Sequence, residues 1–133
     1  MKYVVSKALM LLQLLRVYQW SKNGLVVLPL VFAQQLGDPI SVMRSAIAVV
    51  AFCFAASATY IINDILDYEQ DRNHPKKSLR PIPAGEISRA NASMLAAVLA
   101  AAALTTGFLL GLPFLFSLLF YLFMTFAYSA ILK

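Results

Sequence analysis

Three aspartates and an asparagine follow a long apolar run, and they are the side chains of this sequence best suited to chemistry. On a helix they fall within about 100° of one another: Asn63, Asp64, Asp67 and Asp71. Carboxylates next to lipid are costly and usually mark a functional site. Like charges on one face repel unless a cation lies between them, and oxygen ligands favour Mg²⁺ when phosphates complete its shell. The spacing therefore predicts a magnesium site for a phosphate-bearing ligand.

A loop rich in cations follows the acidic residues. Pro75 disfavours a helical conformation at His74, so we expect the helix to end there. The cations that come next are Lys76, Lys77 and Arg80. Arginine suits bidentate phosphate contacts and lysine acts as a point charge, so helix and loop could clamp one polyanion from two sides. Such a clamp would stabilise the charge that collects on a departing diphosphate.

An ordinary solvated loop is the competing interpretation of these cations. It is the preferred one for Lys76. Arg72 could equally pair with an acidic neighbour, and His74 could equally stabilise the turn or contact a phosphate. Lys22 opens the first apolar segment on the same side of the membrane and is a further candidate for the anion pocket.

Composition places the chain in a membrane. Of its 133 residues 61% are hydrophobic and the mean hydropathy is +0.75, whereas about 45–50% is usual for soluble domains. The net charge of +5 does not indicate nucleic acid, because no basic stripe with interleaved aromatic residues appears. Cys53 is the single cysteine and lies in an apolar run, which predicts a packed, inert thiol.

The apolar segments predict an all-α membrane bundle with four transmembrane helices in a single domain. We expect an interfacial helix over 1–18, then spans at about 19–35, 45–63, 90–110 and 113–132. The segment from 90 to 132 carries no charge and is too long for one span, and Gly111-Leu112-Pro113 supplies the turn that divides it. The acidic and basic motif, 63–89, then connects the second and third spans.

Charge bias predicts the orientation of these spans. With four spans, ten of the eleven basic residues lie on one side, and Arg44 alone lies on the other. The positive-inside rule therefore places the 63–89 motif and both termini in the cytoplasm, with the protein in the inner (plasma) membrane.

The motifs resemble those of a known family. Asn63-Asp64-x-x-Asp67-x-x-x-Asp71 is similar to the first aspartate-rich motif of the UbiA superfamily of intramembrane prenyltransferases. The extension from Arg72 through His74-Pro75, Lys77 and Arg80-Pro81 to Gly85, with Gln19-Trp20-x-Lys22-Asn23 near the start, resembles the decaprenyl-phosphate phosphoribosyltransferase branch. The resemblance covers about 16–133.

This resemblance implies a Mg²⁺-dependent enzyme that breaks a bond to diphosphate, with a polyprenyl lipid as partner. It implies catalytic roles for Asp67 and Asp71. The implied metal ligands are Asn63, Asp64, Asp67 and Asp71, and the candidate substrate contacts are Lys77, Arg80, Lys22, Arg72 and His74.

One departure concerns length. The family usually has about nine spans and a second acidic motif, whereas 90–132 contains no acidic residue. We therefore expect the chain to represent the N-terminal half of the UbiA fold, with a C-terminal half as its missing partner. Alone, it should bind diphosphate weakly and turn over little.

Four functions compete at this point. The first is transfer of phosphoribosyl from phosphoribosyl diphosphate to a polyprenyl phosphate, and the second is prenyl transfer from a prenyl diphosphate to an aromatic acceptor. A divalent-cation transporter is a third, disfavoured because the acids lie at the end of a span and cations crowd the next loop. The fourth is a non-catalytic membrane fragment.

Overall fold

A computed structural model describes residues 2–21, 34 and 36–131 of the chain. The helices of this part are α1 (Lys2–Leu15), α2 (Pro39–Leu66), α3 (Tyr68–Arg72), α4 (Arg89–Leu110) and α5 (Leu112–Ile131). Short 3₁₀ turns occupy 17–21 and Lys77–Leu79. No strand occurs among the described residues, and the predicted all-α class is confirmed.

Local sequence signals set the helix ends. Asp38 caps α2 by accepting hydrogen bonds from the Ile40 amide at 3.3 Å and the Ser41 hydroxyl at 2.6 Å. Ser88 caps α4 by accepting from the Asn91 amide at 3.1 Å. Gly111, with φ at +132°, makes the turn between α4 and α5, where a side chain would be strained. This is the turn that the sequence predicts.

Helices α2, α4 and α5 form the centre of the bundle. Helices α2 and α4 pack closely, and small residues on both are buried: Ala51, Ala55, Ala58, Ala92, Ala96 and Ala103. Small side chains let helix backbones approach closely in lipid. Gly107 extends this contact to α5, since a Cβ atom there would lie 3.3 Å from Cδ2 of Leu118.

These three helices are each long and apolar enough to cross a membrane. They contain the predicted spans 45–63 and 90–110 and the predicted span 113–132 up to Ile131, where the described residues end. The predicted span 19–35 lies mostly outside the described residues, so the count of four spans stays a prediction. The interfacial position of α1 also stays a prediction; Leu9 and Leu12 are exposed on it, and Leu14 is buried against the bundle.

The two ends of the bundle differ in charge. At the far end, the Arg44 guanidinium donates a hydrogen bond to the Leu110 carbonyl at the C-terminus of α4. The opposite end is called the charged end below. It comprises the last turn of α2, the whole of α3 and the loop that runs from α3 to Ser88. There the Arg89 guanidinium stacks on the Tyr68 ring, 4.5 Å from its centroid, and joins α4 to α3.

Candidate functional site at the charged end

The acidic residues occupy an almost continuous helix, called the acidic segment below (63–71). Helix α2 ends at Leu66 and α3 begins at Tyr68, with Asp67 between them at φ −90° and ψ 9°. The Asp67 amide still donates to the Asn63 carbonyl at 3.0 Å, and the Asp71 amide to the Asp67 carbonyl at 2.8 Å. Helical hydrogen bonding therefore crosses the junction, and the helix ends at Arg72, two residues before the predicted end at His74.

Arg80 joins two carboxylates of the acidic segment. Its Nη1 lies 3.4 Å from Oδ1 of Asp64 and 3.2 Å from Oδ2 of Asp71. Both aspartates are only 2% exposed, so their charges require a partner. The sequence analysis predicts a magnesium ion among these like charges, whereas in the structure the Arg80 guanidinium from the loop lies between Asp64 and Asp71.

Arg16 is the second partner of Asp64, and the sequence analysis missed it as a site residue. Its Nη2 donates to Oδ1 of Asp64 at 2.7 Å, and its guanidinium lies 4.7 Å from the centroid of the Tyr60 ring. Arg16 follows α1 with φ at +51°, which turns the chain sharply. The available signal was an arginine directly after an apolar helix, but its partner lies 48 positions away in sequence.

Ser57 fixes the segment that carries Arg16. The Trp20 indole donates to the Ser57 hydroxyl at 2.9 Å, and that hydroxyl donates to the Leu15 carbonyl at 2.7 Å. Ser57 is fully buried on α2, and these two bonds satisfy it. They attach the end of α1 to α2, about two helical turns before Asp64.

A polar cavity of about 220 Å³ opens beside this network. Its lining comes from α1, the turn after it, α2 and the loop: Gln13, Arg16, Tyr18, Asp64, Lys76, Leu79, Arg80 and Pro81. Lys76, for which the sequence favours a solvated position, is exposed but lines this cavity.

A second, apolar cavity of about 390 Å³ lies between α2, α4 and α5. Its lining is Ala58, Thr59, Ile62, Asn63, Ala100, Leu119, Leu122, Phe123, Phe126 and Ser129. Asn63 and Ser129 lie nearest the charged end of their helices, and Ala58 and Leu119 lie deeper along them. The apolar cavity therefore extends from the acidic segment into the bundle.

Comparison with known proteins assigns the family. A model of the UbiA prenyltransferase family matches residues 24–133. The chain belongs to the UbiA prenyltransferase family. Together with the three apolar helices, this makes it a membrane-embedded helical protein.

Individual UbiA relatives resemble most of this chain. A decaprenyl-phosphate phosphoribosyltransferase of Mycobacterium tuberculosis is 37% identical over 123 residues, which is 90% of this chain and 41% of that protein. Its counterpart in Corynebacterium glutamicum is 42% identical over 101 residues, 74% of this chain and 30% of that protein. An uncharacterised protein of Sinorhizobium fredii, y4nM, is 41% identical over 90% of this chain and 23% of its own length. The chain thus spans between 23% and 41% of the length of these relatives.

Neither of the two cavities described above is lined by more than one of the predicted metal ligands of the UbiA chain. Asn63 lines the apolar cavity and Asp64 lines the polar one. Over the described ranges, no three His, Cys, Asp or Glu side chains form a group that could hold a metal ion. Arginines satisfy Asp64 and Asp71, while Asp67 is half-buried at the junction of α2 and α3. In this arrangement the four residues do not fit a common ion, and their metal-binding role stays a prediction.

The predicted substrate contacts have different surroundings. Arg80 reaches the acidic segment, whereas Arg72, His74 and Lys77 are exposed. Nδ1 of His74 accepts from the amides of Lys76 and Lys77, both at 3.1 Å, which is the turn-stabilising role weighed above. In the part of the chain that the structure describes, Arg72 forms no ion pair; Lys22 lies outside that part.

Proposed function

We propose that this UbiA chain forms part of a membrane transferase that breaks a bond to diphosphate. Its substrates on this proposal are phosphoribosyl diphosphate, the donor, and a polyprenyl phosphate, the acceptor. The names of the mycobacterial and corynebacterial relatives support that pair. The observation that carries the proposal is that the acidic segment borders an apolar cavity at Asn63 and a cationic loop at Asp64 and Asp71.

In this proposal the apolar cavity binds the prenyl chain of the lipid. Leucine and phenylalanine side chains of α5 form much of its wall, and an unbranched alanine, Ala100, leaves space on α4. A prenyl chain is apolar along its length and polar only at its phosphate. Lying along α5, it would present that phosphate near Asn63 and the charged end.

In this proposal the cationic loop binds the diphosphate. The bond from the anomeric carbon of ribose to diphosphate breaks, and diphosphate leaves with the electron pair. A lipid phosphate oxygen then forms the new bond to that carbon. Lys77 and Arg80 would bind the departing oxygens, where positive charge lowers the barrier most. No side chain has to act as a covalent nucleophile in this reaction.

A divalent cation, magnesium by resemblance, is a separate part of the proposal. UbiA enzymes are generally dependent on divalent metal, and the carboxylates near this site are the ligand type that magnesium prefers. Asp64 and Asp71 could bind a metal only after exchanging their arginine partners. Calorimetric titration of Mg²⁺ with and without pyrophosphate tests this, because the exchange predicts metal binding only when the anion is present.

We also propose that the charged end faces the cytoplasm at the inner membrane. Seven cations of the described chain lie at or near this end: Arg16, Arg72, Lys76, Lys77, Arg80, Arg89 and Lys7. A cysteine introduced at Ser88 should react with an impermeant maleimide only in inverted vesicles, and one at Gly37 only in right-side-out cells. Because native Cys53 is buried, its background labelling should be small. The reverse pattern would contradict the orientation.

Protection of the loop from trypsin tests the donor. Lys76 and Lys77 are exposed, so trypsin should cleave after them in the purified chain. Phosphoribosyl diphosphate with Mg²⁺ should slow this cleavage, and Asp67→Asn should abolish the protection. Cleavage at the exposed Lys7 serves as the internal control.

Prenyl transfer to an aromatic acceptor is the second candidate, and the name of the matching family favours it. The same assay separates the two. If geranylgeranyl diphosphate protects the loop and phosphoribosyl diphosphate does not, the phosphoribosyl proposal is wrong and prenyl transfer replaces it.

A further inference from the structure

Apart from Arg80, which is assigned to the diphosphate, and Asp64, a candidate metal ligand, the residues that line the polar cavity beside α1 have no role in the reaction proposed above. We propose that it is a second anion site, which binds a phosphate monoester separately from the diphosphate. The shared chemistry is a dianionic phosphate, supplied either by an anionic lipid headgroup or by a free phosphate. This goes beyond the proposed transfer and does not depend on it.

Charge is the first argument for an anion site. Three cations line the cavity, Arg16, Lys76 and Arg80, against one carboxylate, Asp64. Asp71 also pairs with Arg80, so the whole group keeps a net charge of +1 (three cations less two carboxylates). The carboxylates are buried and the lysine is exposed, which leaves positive charge at the entrance.

Hydrogen-bond capacity is the second argument. Each guanidinium carries five N–H donors in a planar fork. In the described chain Arg16 uses only Nη2 and Arg80 only Nη1. The Lys76 ammonium forms no ion pair or side-chain hydrogen bond with the described residues. Donors for several phosphate oxygens therefore remain at the wall of the cavity.

Preorganisation is the third argument. Arg16 is held by Asp64 on one side and by the Tyr60 ring on the other. Arg80 is held by two carboxylates and is followed by Pro81, which is buried. Arginines that are already positioned lose little freedom when they bind an anion.

Size and position fit a phosphate group. The cavity measures about 220 Å³, whereas a single water needs about 10–15 Å³ of such space. It opens beside the end of α1, whose Leu9 and Leu12 are exposed. If these leucines enter the membrane surface, the cavity lies at the depth of lipid phosphates.

Two adjacent lysines allow an experiment to distinguish this cavity from the predicted diphosphate site. Lys76 lines the polar cavity, whereas Lys77 does not and is assigned to the diphosphate. The variants for the test are Lys76→Gln and Lys77→Gln, with Arg16→Gln as a second variant in the cavity. Lys7→Gln is the matched control. Lys7 is exposed like the two loop lysines, but it lies on α1 and lines a different pocket.

The experiment uses the full 133-residue chain in metal-free buffer with EDTA. In one arm, inorganic phosphate is titrated calorimetrically into the detergent-solubilised chain. In the other, native mass spectrometry counts phosphatidic acid and phosphatidylcholine molecules retained from mixed nanodiscs. Retention of phosphatidic acid without phosphate binding identifies a lipid source, and phosphate binding alone identifies a free one; either result supports the site.

Losing one charged contact should weaken binding about tenfold. We expect this loss for Lys76→Gln and Arg16→Gln, with no change for Lys77→Gln or Lys7→Gln. If Arg16→Gln fails to fold, Lys76→Gln against Lys77→Gln decides alone. The site is refuted if wild type binds neither probe, if Lys76→Gln binds as tightly as wild type, or if all three lysine variants weaken binding equally.

Discussion

The two sides of α2 near its C-terminal end differ in the side chains that surround them. On the Asp64 side, the chain supplies its own partners, and four charged groups from three parts of the sequence form one network. On the Asn63 side, the wall is almost wholly apolar and comes from three packed helices. Adjacent residues of one helix thus border two different environments.

This difference indicates that the two sides should respond to different kinds of substitution. A buried network of charges is specific to its geometry and is costly to disrupt, because an unpaired charge remains in the interior. An apolar wall is tolerant of its occupant, since dispersion and burial have no fixed direction. We therefore expect the Asp64 side to fail when one charge is removed, and the Asn63 side to fail when its space is filled.

The largest effect should come from Arg16→Met. The change leaves Asp64 buried with Arg80 as its remaining partner, and loss of one member of a buried pair typically costs about 3–5 kcal/mol. Equilibrium unfolding in mixed micelles measures this, followed by the single tryptophan, Trp20, which lies close to Arg16 in sequence.

Two further variants calibrate that result. Lys7→Met changes the same charge on exposed α1 and should shift stability by less than about 0.5 kcal/mol. Asp64→Asn in the Arg16→Met background should recover part of the loss, because Arg80 would then pair with Asp71 alone and no longer share its charge between two buried carboxylates. Equal stability of Arg16→Met and Lys7→Met would show that the network contributes nothing.

Overpacking the contact between α4 and α5 at Gly107 should have the next largest effect. A Cβ atom at Gly107 would already lie 3.3 Å from Leu118 and 3.4 Å from Leu115, so Gly107→Leu should cost about 1–3 kcal/mol. Gly37→Leu is the control, since nothing lies within 4 Å of a Cβ atom there. The same unfolding assay compares them, and equal losses would contradict the close contact of α4 with α5.

Filling the apolar cavity should affect binding more than stability. Ala100→Phe adds a ring to the cavity wall and should weaken binding of a polyprenyl phosphate by about tenfold, or 1.4 kcal/mol. Ala101→Phe, at an exposed neighbouring position, should leave affinity unchanged. Fluorescence quenching by a labelled lipid gives both affinities, and unchanged affinity in Ala100→Phe would place the lipid elsewhere.

The smallest expected effect is on the acid dependence of unfolding, and it arises from Asp38 at the far end of the bundle. Hydrogen bonding from Ser41 lowers the pKa of Asp38 below its usual 3.8. Its stabilising contribution is therefore complete well above pH 3.8 and is lost as the pH falls through the lowered pKa. Asp38→Asn keeps a capping side chain but should unfold with a weaker dependence on pH below about 4. An unchanged acid profile would contradict this.

The sequence was sufficient for features that depend on local pattern. Long apolar runs without charge located α2, α4 and α5, and Gly111 located the turn, because length and backbone freedom are local properties. The acidic segment and the cationic loop that contains Arg80 were also identifiable, because charges that follow an apolar run stand out, but the direct pairing of Arg80 with Asp64 and Asp71 was not predicted.

The sequence was insufficient for features that depend on distant packing. The pairing of Arg16 with Asp64 depends on how α1 lies against α2, which no local pattern encodes. Helical angles grouped Asn63 with Asp64, but the packing of α4 and α5 divides the surroundings of these neighbours. The difference between Lys76 and Lys77 depends on a turn that His74 stabilises through its own hydrogen bonds.

The most direct test of this account is photo-crosslinking of the chain with a polyprenyl phosphate that carries a diazirine on its prenyl chain. Mass spectrometry then locates the attached residues. We expect adducts on the α5 face of the apolar cavity, at Leu119, Leu122 and Phe123. Adducts confined to α1 or to Leu79, beside the polar cavity, would contradict the division between the two sides of α2.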